Sequence, residues 1–149
     1  MSEFLDKSGL QLYAQRTNNI IRDVYSNSPY GEPTQGLVYT LNADETSYSV
    51  TDYSGTSSSV IIANQKNGLP VTSIGENAFR DKSITSVVIP DNIEEIGGNA
   101  FKACLELKEV VISPSSKLRT LHDSCFEASR VEKLAFPEGL TNVGSSVFS

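Results

Sequence analysis

His122, Asp123 and Ser124 stand side by side and supply the residue types of a nucleophilic hydrolase: a base, an acid to orient it, and a hydroxyl. That chemistry needs the three groups to converge in space, and side chains on consecutive residues point apart. His122 therefore reads as a corner residue, since histidine accepts a positive φ more readily than most side chains. Cys104 and Cys125 are the two thiols of the 149-residue chain. With a single histidine they fall short of the four ligands of a structural zinc site, and they make no disulfide framework. They are expected as buried free thiols that behave as small hydrophobes. Asp91, Glu94 and Glu95 form an acidic cluster. It lacks the dense ligand spacing of a calcium loop and reads as solvated charge. Neither G-x-x-x-x-G-K-S/T nor G-x-G-x-x-G occurs. The expectation is a protein with no catalytic residue, no metal and no cofactor, and so not an enzyme.

Charge and hydropathy narrow the partners. The net charge is −6 at pH 7. Residues 1–68 carry seven acids against four bases, and residues 69–149 carry eleven against eight, so no basic stripe exists to neutralise phosphates. Nucleic acid is excluded on that ground. Apolar runs such as Val60-Ile61-Ile62-Ala63 are far too short to span a bilayer. The opening Met1-Ser2-Glu3-Phe4-Leu5-Asp6 has neither a basic n-region nor an apolar h-region, so no Sec signal peptide is read there.

What positions these residues is a repeat. Phenylalanine recurs at 79, 101, 126 and 148, spaced by 22, 25 and 22 residues. Five residues before each lies Ile74, Ile96, Leu121 or Val143, and directly before each lies Ala78, Ala100, Cys125 or Val147. Between them runs L-x-x-L-x-L: Ile84, Val87, Ile89, then Leu107, Val110, Ile112, then Val131, Leu134, Phe136. Repeats of this length and pattern mark a leucine-rich solenoid, whose coils bury their apolar faces only by stacking.

The L-x-x-L-x-L stretches should pair as short parallel strands about 4.8 Å apart. Pro90 and Pro137 end them. The stretch Glu94-Glu95-Ile96-Gly97 should return along the opposite side, with Gly75, Gly97 and Gly144 permitting a tight corner. Ala-Phe-x-x-Cys is too short for a helix and should make a helical turn. The four phenylalanines should stack as an internal spine, each pair adding about 0.5–1.5 kcal/mol beyond its buried area. Aligning 107–112 on 131–136 sets Lys108 beside Glu132 and Glu109 beside Lys133, opposite in sign on the exposed face. The third unit is two residues longer between Ile112 and Leu118, as a loop bulging from the edge would require.

The units "ITSVVIPDNIEEIGGNAFKAC" and "VEKLAFPEGLTNVGSSVF" resemble the BspA-type leucine-rich repeat, with its I-P-x-x-I-x-x-I-G-x-x-A-F-x-x-C motif. The resemblance covers residues 48–149. It implies a surface or secreted module for adhesion and recognition, without enzymatic activity, whose protein or glycan ligand is not encoded in the repeat. A second likeness joins "FLDKSGLQLYAQRTNNIIRDV", residues 4–24, to the opening segments of phage and prophage structural proteins.

Towards the N-terminus, Leu10, Ala14, Thr17, Ile21 and Val24 form a heptad seam on an amphipathic helix within residues 1–25, with Ser8 as its N-cap. An isolated helix of this length is marginal, so it either docks on the domain or self-associates through residues 8–25. Residues 26–36 read as a Pro/Gly/Ser linker. Residues 37–68, with strands at 37–41, 48–53 and 59–63, read as a β cap on the solenoid. Residues 69–149 read as about 3.5 repeats. All six tyrosines precede residue 54 and are expected to pack within that cap, the alternative being an aromatic binding surface. The final Val147-Phe148-Ser149 leaves the last coil without a polar capping unit. A fragment of a longer array is expected there, the alternative being an end covered by a partner.

The fold expected is a leucine-rich repeat solenoid, mainly β with short helical turns, preceded by a helix and a β cap. The function expected is recognition through the exposed strand face. Its residues are Thr85, Ser86 and Val88, then Lys108, Glu109 and Val111, then Glu132, Lys133 and Ala135. The alternatives are an oligomeric phage tail or fibre component and an accessory binding domain of a larger surface enzyme.

Overall fold

The structure is a computed structural model that describes residues 30–149. The seam at residues 8–25, the likeness at residues 4–24, and Tyr13 and Tyr25 lie outside the described residues.

Two sheets face each other across one core. The first holds β3 (Ser59–Ile61), β6 (Ser86–Ile89) and β8 (Glu109–Ile112), all parallel. These are the L-x-x-L-x-L strands. The fourth coil joins by a single parallel bridge, Glu109 to Lys133, so the third expected strand is reduced to one paired residue. The register is the one that the charge alignment predicts. Side chains alternate: Val87 and Ile89 are buried while Ser86 and Val88 are half-buried.

The second sheet runs in the order β1 (Leu37–Leu41), β2 (Tyr48–Tyr53), β5 (Leu69–Ile74), β7 (Glu95–Ile96), β9 (Thr120–Leu121), β10 (Asn142–Val143). From β2 onward the pairing is parallel, one strand per coil. β1 turns back antiparallel on β2 and closes that end of the array. β4 (Gln65–Lys66) forms a hairpin with β5. Its two-residue loop, Asn67-Gly68, has positive φ at both residues (53° and 81°), as a type I′ hairpin turn demands.

The spine is present. Phe79, Phe101, Phe126 and Phe148 stack with ring centroids 5.0, 5.2 and 5.5 Å apart and planes within 7° of parallel. Tyr53 continues it toward the N-terminal end, 5.8 Å from Phe79. Phe79, Phe101 and Phe126 are fully buried, whereas Phe148 and Val143, on the last coil, are 51% and 60% exposed. Around the spine pack Ile84, Leu107, Ile93, Leu118, Ile96 and Leu121. Of the described tyrosines, Tyr53 is in the core, Tyr39 and Tyr48 pack against it, and Tyr30 is exposed.

The Ala-Phe segments form no helix; among the described residues there is none. They are successive i→i+3 turns. The amides of Ala78, Arg80 and Lys82 donate to the carbonyls of Gly75, Asn77 and Phe79. The intervening amides reach forward to the next coil: Asn77 to Gly98, Phe79 to Ala100, Asp81 to Lys102. This alternation requires left-handed residues, found at Asn77, Asn99, Ser124 and Ser146, and again at Asp81, Ala103 and Ala128, with φ between 56° and 64°.

The corner glycines serve a different purpose from the one expected, since no positive φ occurs at Gly75, Gly97 or Gly144. A Cβ on Gly97 would lie 2.8 Å from the Glu76 nitrogen and 2.9 Å from the Ile74 oxygen, so glycine lets adjacent coils touch through their backbones. His122 shares this column and also lacks a positive φ. Its amide bond to Ile96 is 3.0 Å long, against 2.7, 2.7 and 2.8 Å at Gly75, Gly97 and Gly144. The backbone bond is slightly longer where a side chain is admitted.

Candidate recognition face

The nine residues singled out from the sequence lie together on the exposed side of the β3-β6-β8 sheet and its bridged fourth coil. Backbone bonds set them in columns running across the coils. The amide of Thr85 donates to Ser58, that of Lys108 to Thr85, and that of Glu132 to Lys108, which aligns Ser58, Thr85, Lys108 and Glu132. Strand pairing aligns Ser59, Ser86, Glu109 and Lys133 beside them. Ile61, Val88 and Val111 follow as a half-buried aliphatic column, which Ala135 extends in the repeat alignment. The Thr85 hydroxyl is tied to the Ser58 carbonyl (3.2 Å).

The charged residues of this face do not pair with one another. Among the described residues no ion pair within 4.0 Å involves Lys108, Glu109, Glu132 or Lys133, all of which are exposed. The expected Lys108–Glu132 and Glu109–Lys133 neighbours are adjacent in register, but their charged groups do not come within 4.0 Å. Their side chains stand around a depression of about 350 Å³, together with Thr85 and Ser86.

The opposite side carries a second set of polar contacts, and its acidic members Asp91, Glu94 and Glu95 are the cluster that the sequence reads as solvated charge. Glu94 pairs with Arg119 at 3.0 Å. Glu95 meets His122 Nε2 at 2.7 Å. Asp91 accepts from the Ser115 hydroxyl (2.8 Å) in the bulging loop, and the Lys117 amide donates to the Asp91 carbonyl (2.9 Å). Nearer the cap, Ser49 and Ser73 share a hydroxyl hydrogen bond, and Thr40 meets Thr51 at 2.8 Å. Aligning the I-G corners would have shown Thr72, Glu94, Arg119 and Thr141 in one column, which their backbone bonds form.

The residue types of a hydrolase do not assemble. His122 turns to Glu95, while Asp123 Oδ1 accepts the Ser145 amide at 2.9 Å. Cys104 and Cys125 are buried free thiols, and burial pushes them up to about 11 and about 12. The Cys104 thiol donates to the Phe79 carbonyl (3.0 Å). Among the described residues no three His, Cys, Asp or Glu side chains gather as metal ligands. No described helix is long and apolar enough to cross a membrane.

With that geometry in hand, the chain can be set beside known proteins. It matches the BspA type leucine rich repeat region, in six copies over residues 54–149, and it belongs to that family. A leucine rich repeat protein of T. pallidum superposes with a TM-score of 0.70 at 29% identity, over 78% of this chain and 55% of that one. A leucine rich cell surface protein of Faecalibacterium prausnitzii gives 0.61 at 28% identity, over 83% of this chain and 41% of that one. A leucine-rich repeat protein of Bacteroides capillosus gives 0.56 at 27%, over 75% of this chain and 96% of that one. This chain thus spans about half of the T. pallidum protein. No functionally curated protein matches the sequence.

Proposed function

We propose that the chain is a non-catalytic recognition module, displayed at a cell surface or secreted, that binds a protein through the face around Lys108, Glu109, Glu132 and Lys133. One observation carries the reading: among the described residues these four exposed charges close no ion pair, beside an aliphatic column that the solenoid holds half open. Charged groups of both signs on a rigid surface select partners by complementarity. None of the nine residues is aromatic, so the face offers no ring for a sugar to stack on, which favours a protein over a glycan. The cell surface relative in F. prausnitzii supports the location.

The test is a panel of purified extracellular proteins beside a glycan array, probed with the wild type and with K108A/E109A/E132A/K133A. Binding to a protein should fall at least about tenfold in the variant, as it does when the charged anchors of an interface are truncated. Binding that survives all four substitutions, or that is confined to glycans, contradicts the reading.

We further propose that a stalk formed by residues 8–25 gathers several such faces, raising avidity without new contacts. Light scattering of residues 1–149 against 37–149 checks it, and equal monomeric masses would remove the stalk.

A further inference from the structure

We propose that the protein partner of this face is a second copy of the same chain, docked face to face. The inference rests on reading the face as a binding surface.

The four charges form a two-by-two chequerboard. Lys108 and Glu109 lie side by side on one coil, Glu132 and Lys133 on the next, and Glu109 is in register with Lys133. Every charge therefore has neighbours of opposite sign both along the chain and across the coils. None of these neighbours closes to an ion pair, and the side chains stand apart around an open depression of about 350 Å³. The pattern is complete, closes no ion pair among the described residues, and is exposed.

Such a pattern is its own complement. Consider a two-fold axis in the plane of the face, parallel to the strands and midway between the two coils. Rotation about it exchanges the coils. Lys108 then lies over the partner's Glu132 and Glu109 over the partner's Lys133, and symmetry repeats both contacts, as an isologous interface requires. The same rotation sets Val111 over the partner's Ala135, so the apolar column meets itself. An in-plane axis perpendicular to the strands also matches the charges, but it carries Val111 off the apolar column. Diagonal axes set Glu109 over the partner's Glu132, or Lys108 over the partner's Lys133, and are repulsive. One docking thus satisfies charge and apolar contact together.

The contact is small, two coils on each side, and belongs with weak, transient interfaces. Exposed ion pairs contribute little singly and are screened by salt. A weak homophilic contact becomes effective when many copies face one another on apposed surfaces. Homophilic adhesion is the form of recognition that this face supports.

Sedimentation of the full chain over a concentration series, at low and at raised salt, tests the proposal with two variants. K108E/K133E places carboxylates over carboxylates. K108E/E109K/E132K/K133E inverts every sign and restores the chequerboard. Wild type should self-associate, and less so at raised salt. The first variant should associate at least about tenfold more weakly and the second within about threefold of wild type, because only the pattern of signs matters. Recovery in the second variant also shows that charge reversal has not unfolded the chain.

Equal association in all three chains overturns the proposal, as would be seen if contact ran through residues 1–29, which are common to them. Absence of association at every concentration overturns it too. In either case the protein panel separates the two claims. If panel binding still depends on the four charges, the face recognises another protein and only the second copy is lost. If it does not, the reading of the face falls as well.

Discussion

The two broad faces of this solenoid rest on the same stacked coils and use their charges in different ways. On the sheet formed by β2, β5, β7, β9 and β10, charged groups are tied within the chain: Glu94 by an ion pair with Arg119, Glu95 by a hydrogen bond with His122. On the sheet formed by β3, β6 and β8, charges of matching register are left apart. Coil stacking fixes which residues become neighbours. It does not fix whether they close into pairs. A face whose polar groups are tied to each other is built for cohesion, and a face whose groups are left open presents them to something else.

The largest effect should come from the spine, which both faces share. Phe101→Ala removes a fully buried ring stacked on both sides, 5.0 Å from Phe79 and 5.2 Å from Phe126. It should cost about 3–5 kcal/mol, read by chemical denaturation, and should abolish binding and fold together. If the coils on either side remained stable, the spine would not be the shared support.

Gly97→Ala sharpens the comparison at the corner of the cohesive sheet. The new Cβ meets backbone atoms of the preceding coil at 2.8–2.9 Å, and backbone can yield only by separating coils. A loss of about 1–3 kcal/mol is expected, as for other overpacked sites. His122→Ala, in the same column, adds no Cβ and should cost far less. Equal losses would show that close coil contact is not what requires glycine.

Alkaline pH should weaken the protein through groups that belong to neither face. Burial raises Cys104 to about 11 and Cys125 to about 12, from an ordinary value of 9.0. Above pH 9 the unfolded chain releases thiol protons that the folded chain retains, so the unfolded state binds fewer protons and stability falls as pH rises. The thermal midpoint should begin to drop as the pH passes 9 and go on dropping toward the folded values of about 11 and about 12. C104A/C125A should flatten that slope. An unchanged slope in the double variant would assign the alkaline loss to other groups.

The smallest effect should be Arg119→Ala. Its bridge to Glu94 is 3.0 Å long but exposed, so about 0–1 kcal/mol is expected, fading with salt.

Much of this was legible in the sequence. A column of four phenylalanines at near-constant spacing can serve only a stacked core, and Lys108-Glu109 against Glu132-Lys133 gave the register that the bridge at Lys133 adopts. The strands at Leu37–Leu41 and Tyr48–Tyr53 were legible because their tyrosine, valine and leucine content is bounded by turn residues. The later strands of the same sheet were not. Glu95–Ile96, Thr120–Leu121 and Asn142–Val143 are two residues each, too short to show a period of two, and exist only because equivalent residues lie on an adjacent coil. The left-handed positions were also misassigned. Glycine drew attention because it tolerates positive φ, yet Asn77 and Asn99 adopt it and Gly97 does not. Inter-coil distance, which sequence does not display, decides where glycine is needed. The candidate face could be placed by register, but its charges could not be known as unpaired until their side chains were seen apart.

The central claim is that the two faces divide cohesion from recognition. Thermal and denaturant unfolding of two matched variants tests it most directly. One is K108A/E109A/E132A/K133A on the open face and the other E94A/E95A/R119A/H122A on the paired face. The account predicts that the first stays within about 0.5 kcal/mol of wild type, as surface substitutions without partners do. The second should lose up to about 2 kcal/mol, from one exposed ion pair and one exposed hydrogen bond, with the ion-pair share shrinking at high salt. If the open-face variant is the less stable of the two, those charges are holding the coils together, and the division between the faces is wrong.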